Sequence, residues 1–152
     1  DLGSDRVDHH GTYNANPVSA CAGIATLKII DRDPINNRAD ELADRLKSGL
    51  NKQLTKYEVE GHVHGTSSIV HILLGVECSC DGNMCTLDHS EITRSAKKYG
   101  PSMKIAMLNE GVDMMGGIGF LLSAVHDKNI IDSTTESFGR ALKAIRADGI
   151  ID

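Results

Sequence analysis

The sequence predicts an α+β fold, a small antiparallel sheet covered by helices. Apolar residues recur with helical spacing in two segments near the N-terminus and in one at the C-terminus. Between Tyr57 and His64 the period drops to two, the signature of a half-buried strand. Helix-like and strand-like segments are segregated along the chain, the pattern expected when helices lie against an antiparallel sheet.

The first helix is expected from Pro17 to Ile30. Asn16 can cap it through its side-chain oxygen, and Pro17 has the fixed φ suited to a first helical position. Val18, Cys21, Ala22, Ile24, Ala25, Leu27, Ile29 and Ile30 run nearly all round this helix, so it is expected to be buried on several sides. Ala20, Ala22, Gly23 and Ala25 are small enough to let another element approach closely. Asp33-Pro34 repeats the cap-plus-proline signal. Ala39, Leu42, Ala43, Leu46, Leu50 and Leu54 then define a second helix over residues 34–55 with one wet face.

Tyr57, Val59, Gly61 and Val63 alternate with Glu58, Glu60, His62 and His64, giving the first strand. Gly65-Thr66-Ser67 reads as a turn and residues 68–74 as the returning strand. Residues 75–100 show no sustained period and read as loop, with a helical turn over residues 92–97. A helix is expected over residues 102–110, with Gly111 just past its end. Short strands are expected over 112–115 and 120–125. Asp127 caps a last helix whose Ile131, Thr134, Phe138, Ala141, Leu142 and Ile145 form an apolar stripe.

Composition narrows the function classes. The chain has 152 residues, 40% of them hydrophobic and 24% charged, enough to bury one core. A formal charge of −5 and no Lys/Arg cluster argue against a nucleic-acid partner or an anionic membrane surface. No apolar run approaches the roughly 20 residues a spanning helix needs, and the first residues do not read as a signal peptide. The four cysteines are too few for a disulfide framework in a chain of this length, so a reducing, cytoplasmic setting is expected.

Four groups of residues bear on chemistry. The first is the loop running from His10 through Gly11 and Thr12 to Pro17, in which a backbone N–H and a hydroxyl can be presented together to a phosphate. The second is Cys78-x-Cys80-x4-Cys85-x3-His89, soft ligands sufficient for a tetrahedral zinc. It lacks the usual two-residue spacer, so these residues are read as free thiols in a variable loop and no metal is expected. The third is a histidine group: His62 and His64 share one strand face, and a turn at 65–67 would pair Gly61 with His71 and put His71 on the other face. With the trio split, surface histidines are expected there rather than a metal site. The fourth is Met114-Met115-Gly116-Gly117-Ile118-Gly119, a glycine-rich link of the kind that marks a tight bend or close approach of a ligand.

The string Gly11-Thr12-Tyr13-Asn14-Ala15-Asn16-Pro17, continuing through Ser19-Ala20, Ala22-Gly23 and Ala25-Thr26-Leu27, resembles the start of the C-terminal domain of class III pyridoxal-phosphate aminotransferases. Among these it is most similar to the glutamate-1-semialdehyde aminomutases. Residues 109–113, residues 120–127 and the closing helix resemble the family's last strand pair and final helix, in the same order.

The resemblance implies the C-terminal small domain of a fold-type I enzyme that uses pyridoxal 5′-phosphate (PLP) to move an amino group between small-molecule donor and acceptor. It implies a link from a large domain over residues 1–16 and the small domain over 17–152. In a homodimer, Gly11 and Thr12 would touch the phosphate of the partner subunit's cofactor, and Gly116, Gly117 and Ile118 would border the substrate pocket. The Schiff-base lysine of the family lies upstream of the Gly-Thr loop, in the large domain that holds most of the cofactor. No catalytic residue is therefore assigned here, and this stretch alone is expected to be inactive. Where aminomutases commonly carry an aromatic-Glu-Ala stretch, this chain has Gly117-Ile118-Gly119, so that carboxylate is absent. The departure bears on intramolecular amino transfer, not on transamination through the same cofactor. Two readings from other classes stay open at this point: a free-standing ligand- or zinc-binding module, and a dimerisation domain presenting its apolar first helix.

Overall fold

The computed structural model describes residues 11, 14, 16–116 and 118–152, and the chain divides into two compact units, Asp1–Pro34 and Ile35–Asp152. The first unit contributes one described helix, α1 (Pro17–Arg32). Asn16 caps it as expected, its Oδ1 accepting from the N–H groups of Val18 at 2.9 Å and Ser19 at 3.2 Å. The expected burial of this helix is not found: none of its residues is buried, and Val18 is 77% and Leu27 66% exposed.

The second unit has the element order α2 (Ile35–Lys56), β1 (Gly61–His64), β2 (Ile69–Leu74), α3 (His89–Asn109), β3 (Gly119–Leu121) and α4 (Lys128–Ala147). The three strands form one antiparallel sheet in the order β1-β2-β3. The expected α+β architecture is therefore present. Helices α2 and α3 pack on the sheet, and α4 packs against both of them.

The alternation of each strand divides the sheet into two unlike faces. Val63, Val70, Ile72, Leu74 and Phe120 enter the helix-covered core with Leu46, Leu50, Met103, Met107, Phe138 and Leu142. The opposite face carries His62, His64, His71 and Leu73.

Four expectations need correction. Residues 57–60 are not strand but the C-terminal closure of α2. Glu58 adopts φ +51°, its N–H donates to the Thr55 carbonyl at 3.1 Å, and the Val59 N–H donates to Leu54 at 3.0 Å. This Schellman closure satisfies the last carbonyls of the helix and seals with the buried Leu54–Val59 pair. The alternation seen in the sequence thus begins four residues too early.

The second correction concerns α3, which begins at His89 rather than near residue 102. Asp88 caps it, accepting from the Ser90 N–H at 2.7 Å. Pro101, which has no N–H to donate, lies inside the helix. The helix continues because Pro101 faces solvent while Ser95, Gly100, Met103 and Met107 are buried on either side.

The third correction concerns residues 112–125. Among the described residues only Gly119–Leu121 forms a strand, and Met115 makes a single bridge to Gly119. The fourth concerns register. His64 pairs with His71 and Gly61 with Leu74, three residues from the pairing a tight turn would give. The wider loop is held from outside the hairpin: the Gly65 N–H donates to the Gly82 carbonyl at 3.0 Å, and Lys47 Nζ donates to the Gly65 carbonyl at 2.9 Å. An odd shift reverses the face on which a side chain stands. His71 therefore joins His62 and His64 instead of opposing them.

Candidate functional site

The glycine-rich bend after α3 borders the principal cleft of the second unit. Helix α3 closes with Gly111 in the left-handed region, φ +81°, donating to Leu108 at 3.0 Å. The chain then turns back through Met114 and Met115 to β3. A cleft of about 820 Å³ opens beside it, lined by Lys104, Met114, Met115, Phe120, His126 and Ser137 among others. Its apolar side comes from the methionines and Phe120, its polar side from α3, the β3–α4 link and α4.

The polar groups are held in place. Lys104 Nζ donates to the Met114 carbonyl at 2.8 Å and pairs with Asp113 Oδ1 at 3.0 Å. The Ser123 N–H donates to His126 Nδ1 at 3.1 Å, which fixes the orientation of the ring. Arg140 Nε donates to Glu110 Oε2 at 2.6 Å, and its Nη2 donates to Ser137 Oγ at 3.0 Å. A cleft with one apolar wall and a few fixed polar groups suits a small polar molecule.

The residues expected to border a substrate pocket are distributed unevenly around it. Gly116 is exposed and Gly117 lies outside the described residues. Ile118 faces a separate small cavity with Tyr99 and Met103, while its carbonyl accepts from Ile72 N–H at 2.7 Å. Their neighbours Met114 and Met115 supply the wall instead. Lys104 and His126 were not legible as cleft residues, because they reach it from other elements.

Of the expected phosphate loop, Gly11 is described and exposed, and Thr12 lies outside the described residues. A Cβ at Gly11 would overlap the end of the Asn14 side chain, which would have to move aside. Because Asn16 already occupies the first N–H groups of α1, an anion at this loop would rely on its own backbone and hydroxyl donors.

A second constellation lies on the histidine face of the sheet. His62 and His64 are 9% and 8% exposed, with ring centroids 5.1 Å apart, and His71 stacks on His64 at 5.5 Å. The Nδ1 atoms of His62 and His64 are buried and without a partner among the described residues. Burial lowers the His62 pKa. It also brings His64 down to about 4, helped by repulsion from His62 and His71. His62 and His64 are therefore neutral at physiological pH and buried rather than at the surface.

The cysteine loop meets this face. Cys85 Sγ lies 3.4 Å from His62 Nε2 and 4.0 Å from Cys78 Sγ. Burial pushes the Cys78 thiol up, but hydrogen bonds from the Thr86 backbone, from Cys80 and from the Thr86 hydroxyl outweigh it and leave it at about 6. Burial raises the Cys80 and Cys85 thiols. His89, the imidazole that spacing had attached to these cysteines, is elsewhere. It begins α3 with Nε2 3.4 Å from Thr93 Oγ1.

Comparison with known proteins bears on the first constellation. The family model for class III aminotransferases matches residues 2–142. The glutamate-1-semialdehyde 2,1-aminomutase of Methanopyrus kandleri is 29% identical over 140 residues, covering 90% of this chain and 31% of the relative. An ω-transaminase structure from Sphaerobacter thermophilus superposes with a TM-score of 0.70 at 26% identity, covering 92% of this chain and 31% of that one. A transaminase solved with PLP bound has the same fold, with a TM-score of 0.70, 21% identity and coverage of 94% and 31%. The chain thus spans about a third of the length of the relatives it matches. With the motif at Gly11–Pro17, the α+β unit and the family match in agreement, the chain belongs to the class III aminotransferase family.

Proposed function

We propose that this chain is the C-terminal small domain of a PLP-dependent enzyme that transfers an amino group between small molecules, similar to the glutamate-1-semialdehyde aminomutases. The observation that carries the reading is the class III match over residues 2–142 together with the cleft at the Met114–Met115 bend. Bound PLP supplies the electron sink for the amino transfer. This chain's residues bind, orient and exclude water.

Gly11 and Thr12 would hold the cofactor phosphate of the partner subunit in a homodimer. A glycine backbone uncluttered by a side chain and a hydroxyl one residue on are donors of the right chemistry, and Gly11 is exposed to receive a ligand. Met114, Met115 and Phe120 exclude water from one side of the substrate. Lys104 orients the bend through the Met114 carbonyl and Asp113, and so is not a free amine awaiting a carbonyl. With Gly117-Ile118-Gly119 at the place of the aminomutase carboxylate, transfer between two molecules is favoured over transfer within one. The site of action is the cytoplasm, in keeping with four unpaired cysteines.

None of the chain's lysines stands in the family's Schiff-base context, so the reaction's lysine belongs to the large domain. The 152-residue chain mixed with PLP should then show no turnover of amino donor with keto-acid acceptor, and borohydride should trap no stoichiometric adduct at a single lysine. One trapped lysine accompanied by turnover would sink this assignment.

A further inference from the structure

We propose that His62, Cys78, Cys80 and Cys85 bind a soft tetrahedral divalent ion of the zinc type, tying the loop between β2 and α3 to the outer face of the sheet. This inference stands apart from the amino-transfer reading and uses none of its residues. A tetrahedral zinc with Zn–S near 2.3 Å and Zn–N near 2.0–2.1 Å sets its ligand atoms about 3.8 Å apart for two sulfurs and about 3.5 Å apart for sulfur and nitrogen. The observed separations are 4.0 Å between Cys78 Sγ and Cys85 Sγ, and 3.4 Å between Cys85 Sγ and His62 Nε2. The His62, Cys78 and Cys85 ligand atoms all lie within 4.8 Å of one another. Two edges of a coordination tetrahedron are thus already close to length, and the third is no longer than 4.8 Å. Cys80 lies outside that trio but near enough to Cys78 for the two side chains to interact, and on closing the loop it would supply the fourth ligand, a third sulfur.

Topology strengthens the assignment. His62 comes from the rigid strand β1, whereas the cysteines come from residues 75–88, which form no helix or strand. A connection of that length without secondary structure needs something to order it. Backbone hydrogen bonding supplies part of this, since the Gly82 carbonyl receives the Gly65 N–H and the Asn83 carbonyl receives the Thr66 hydroxyl. A metal joining residue 62 to residues 78–85 would fix the remainder by closing a loop whose entropy is lost once. Binding would take neutral imidazole and thiolates, with the thiol protons released to solvent.

The test is anaerobic titration of the chelator-treated, reduced chain with cobalt(II), followed by displacement with zinc(II). The expected result is uptake of about one cobalt per chain, with thiolate charge-transfer absorption and the ligand-field intensity of a tetrahedral ion. Cys78→Ser and Cys85→Ser should each weaken binding by roughly tenfold or more. Cys21→Ser and His89→Gln should bind like the parent, because neither residue belongs to the cluster. Far-UV circular dichroism of each variant separates lost ligation from lost folding, and the parent's stoichiometry decides even if a variant unfolds. Substoichiometric uptake by the folded parent, uptake indifferent to Cys85→Ser, or a Cys78–Cys85 disulfide in reduced material would each overturn the proposal.

Discussion

Ser95 in α3 closes both backbone valences at the end of β2: its Oγ donates to the Leu74 carbonyl at 2.8 Å and accepts from the Leu74 N–H at 3.1 Å. The neighbouring strand β3 pairs with β2 only over Ile69–His71, so beyond it a side chain stands in for a strand. Ser95 is 4% exposed, and water cannot readily replace it. Ser95→Ala should therefore destabilise the chain by about 1–3 kcal/mol in urea unfolding, the cost of leaving buried backbone groups unpaired. An effect below a few tenths of a kcal/mol would mean that the hydroxyl tethers nothing.

Phe138 sits at 0% exposure where α4 meets the core. Phe138→Ala should cost about 3–5 kcal/mol, and Phe138→Leu clearly less, because the cost combines lost transfer energy with the cavity left behind. Paired denaturant curves measure the difference. Equal costs for the two variants would contradict the packing described here.

Gly111 has open space around a would-be Cβ but a φ of +81°. Replacement by alanine should therefore act through backbone strain alone, costing about 1–2 kcal/mol. Gly111→Asn should cost less, since asparagine tolerates the left-handed region. Thermal unfolding of the two variants against the parent checks the order.

Arg45 links α2 to α4 by two hydrogen bonds of 2.7 Å to Asp132. The hydrogen bond from Arg45 holds the Asp132 carboxyl below its ordinary value of 3.8. The stabilisation it gives is thus present above that value and lost as pH falls through the lower folded value. Both side chains are about half exposed, so the effect is small and weakened by salt. Asp132→Asn should leave the neutral-pH midpoint nearly unchanged and flatten the fall in stability on acidification. A steeper acid loss in the variant would contradict the pairing.

On the proposed contact between Thr12 and the cofactor phosphate, Thr12→Val in the longer enzyme keeps the branched shape and removes only the hydroxyl. A hydrogen bond to a charged phosphate contributes about 1.5–3 kcal/mol, so PLP retention should weaken by about ten- to a hundredfold. Stability of the cofactor-free protein should change far less. Unchanged retention in equilibrium dialysis would reduce Thr12 to a loop residue.

The sequence by itself determined the elements whose signals are local. The caps at Asn16 and Asp127 are formed by the expected side chains, with Asp127 accepting from Ile130 N–H at 2.8 Å. The second helix and the last one follow their apolar stripes, and Gly111 ends α3 as expected. The motif at Gly11–Pro17 pointed to the family that the match over residues 2–142 then gave. Each of these depends on a few adjacent residues, or on a period set by one element's own geometry.

Tertiary structure decided what depends on groups distant in the chain. Alternation from Tyr57 to Glu60 looked like strand, yet the carbonyls of α2 claimed those N–H groups first. Residues 75–100 read as loop, yet burial on both sides of Pro101 carries α3 from His89 through to Asn109. The hairpin register was set by Gly82 and Lys47 holding Gly65, from elements on either side of it in the sequence. That register placed His71 beside His64, while the fold of the cysteine loop put His62, not His89, beside Cys85. Spacing in sequence fixes which side chains share a helix or a strand face. Which partners reach that face depends on the backbone groups that other elements satisfy, and this is settled only when the whole chain packs.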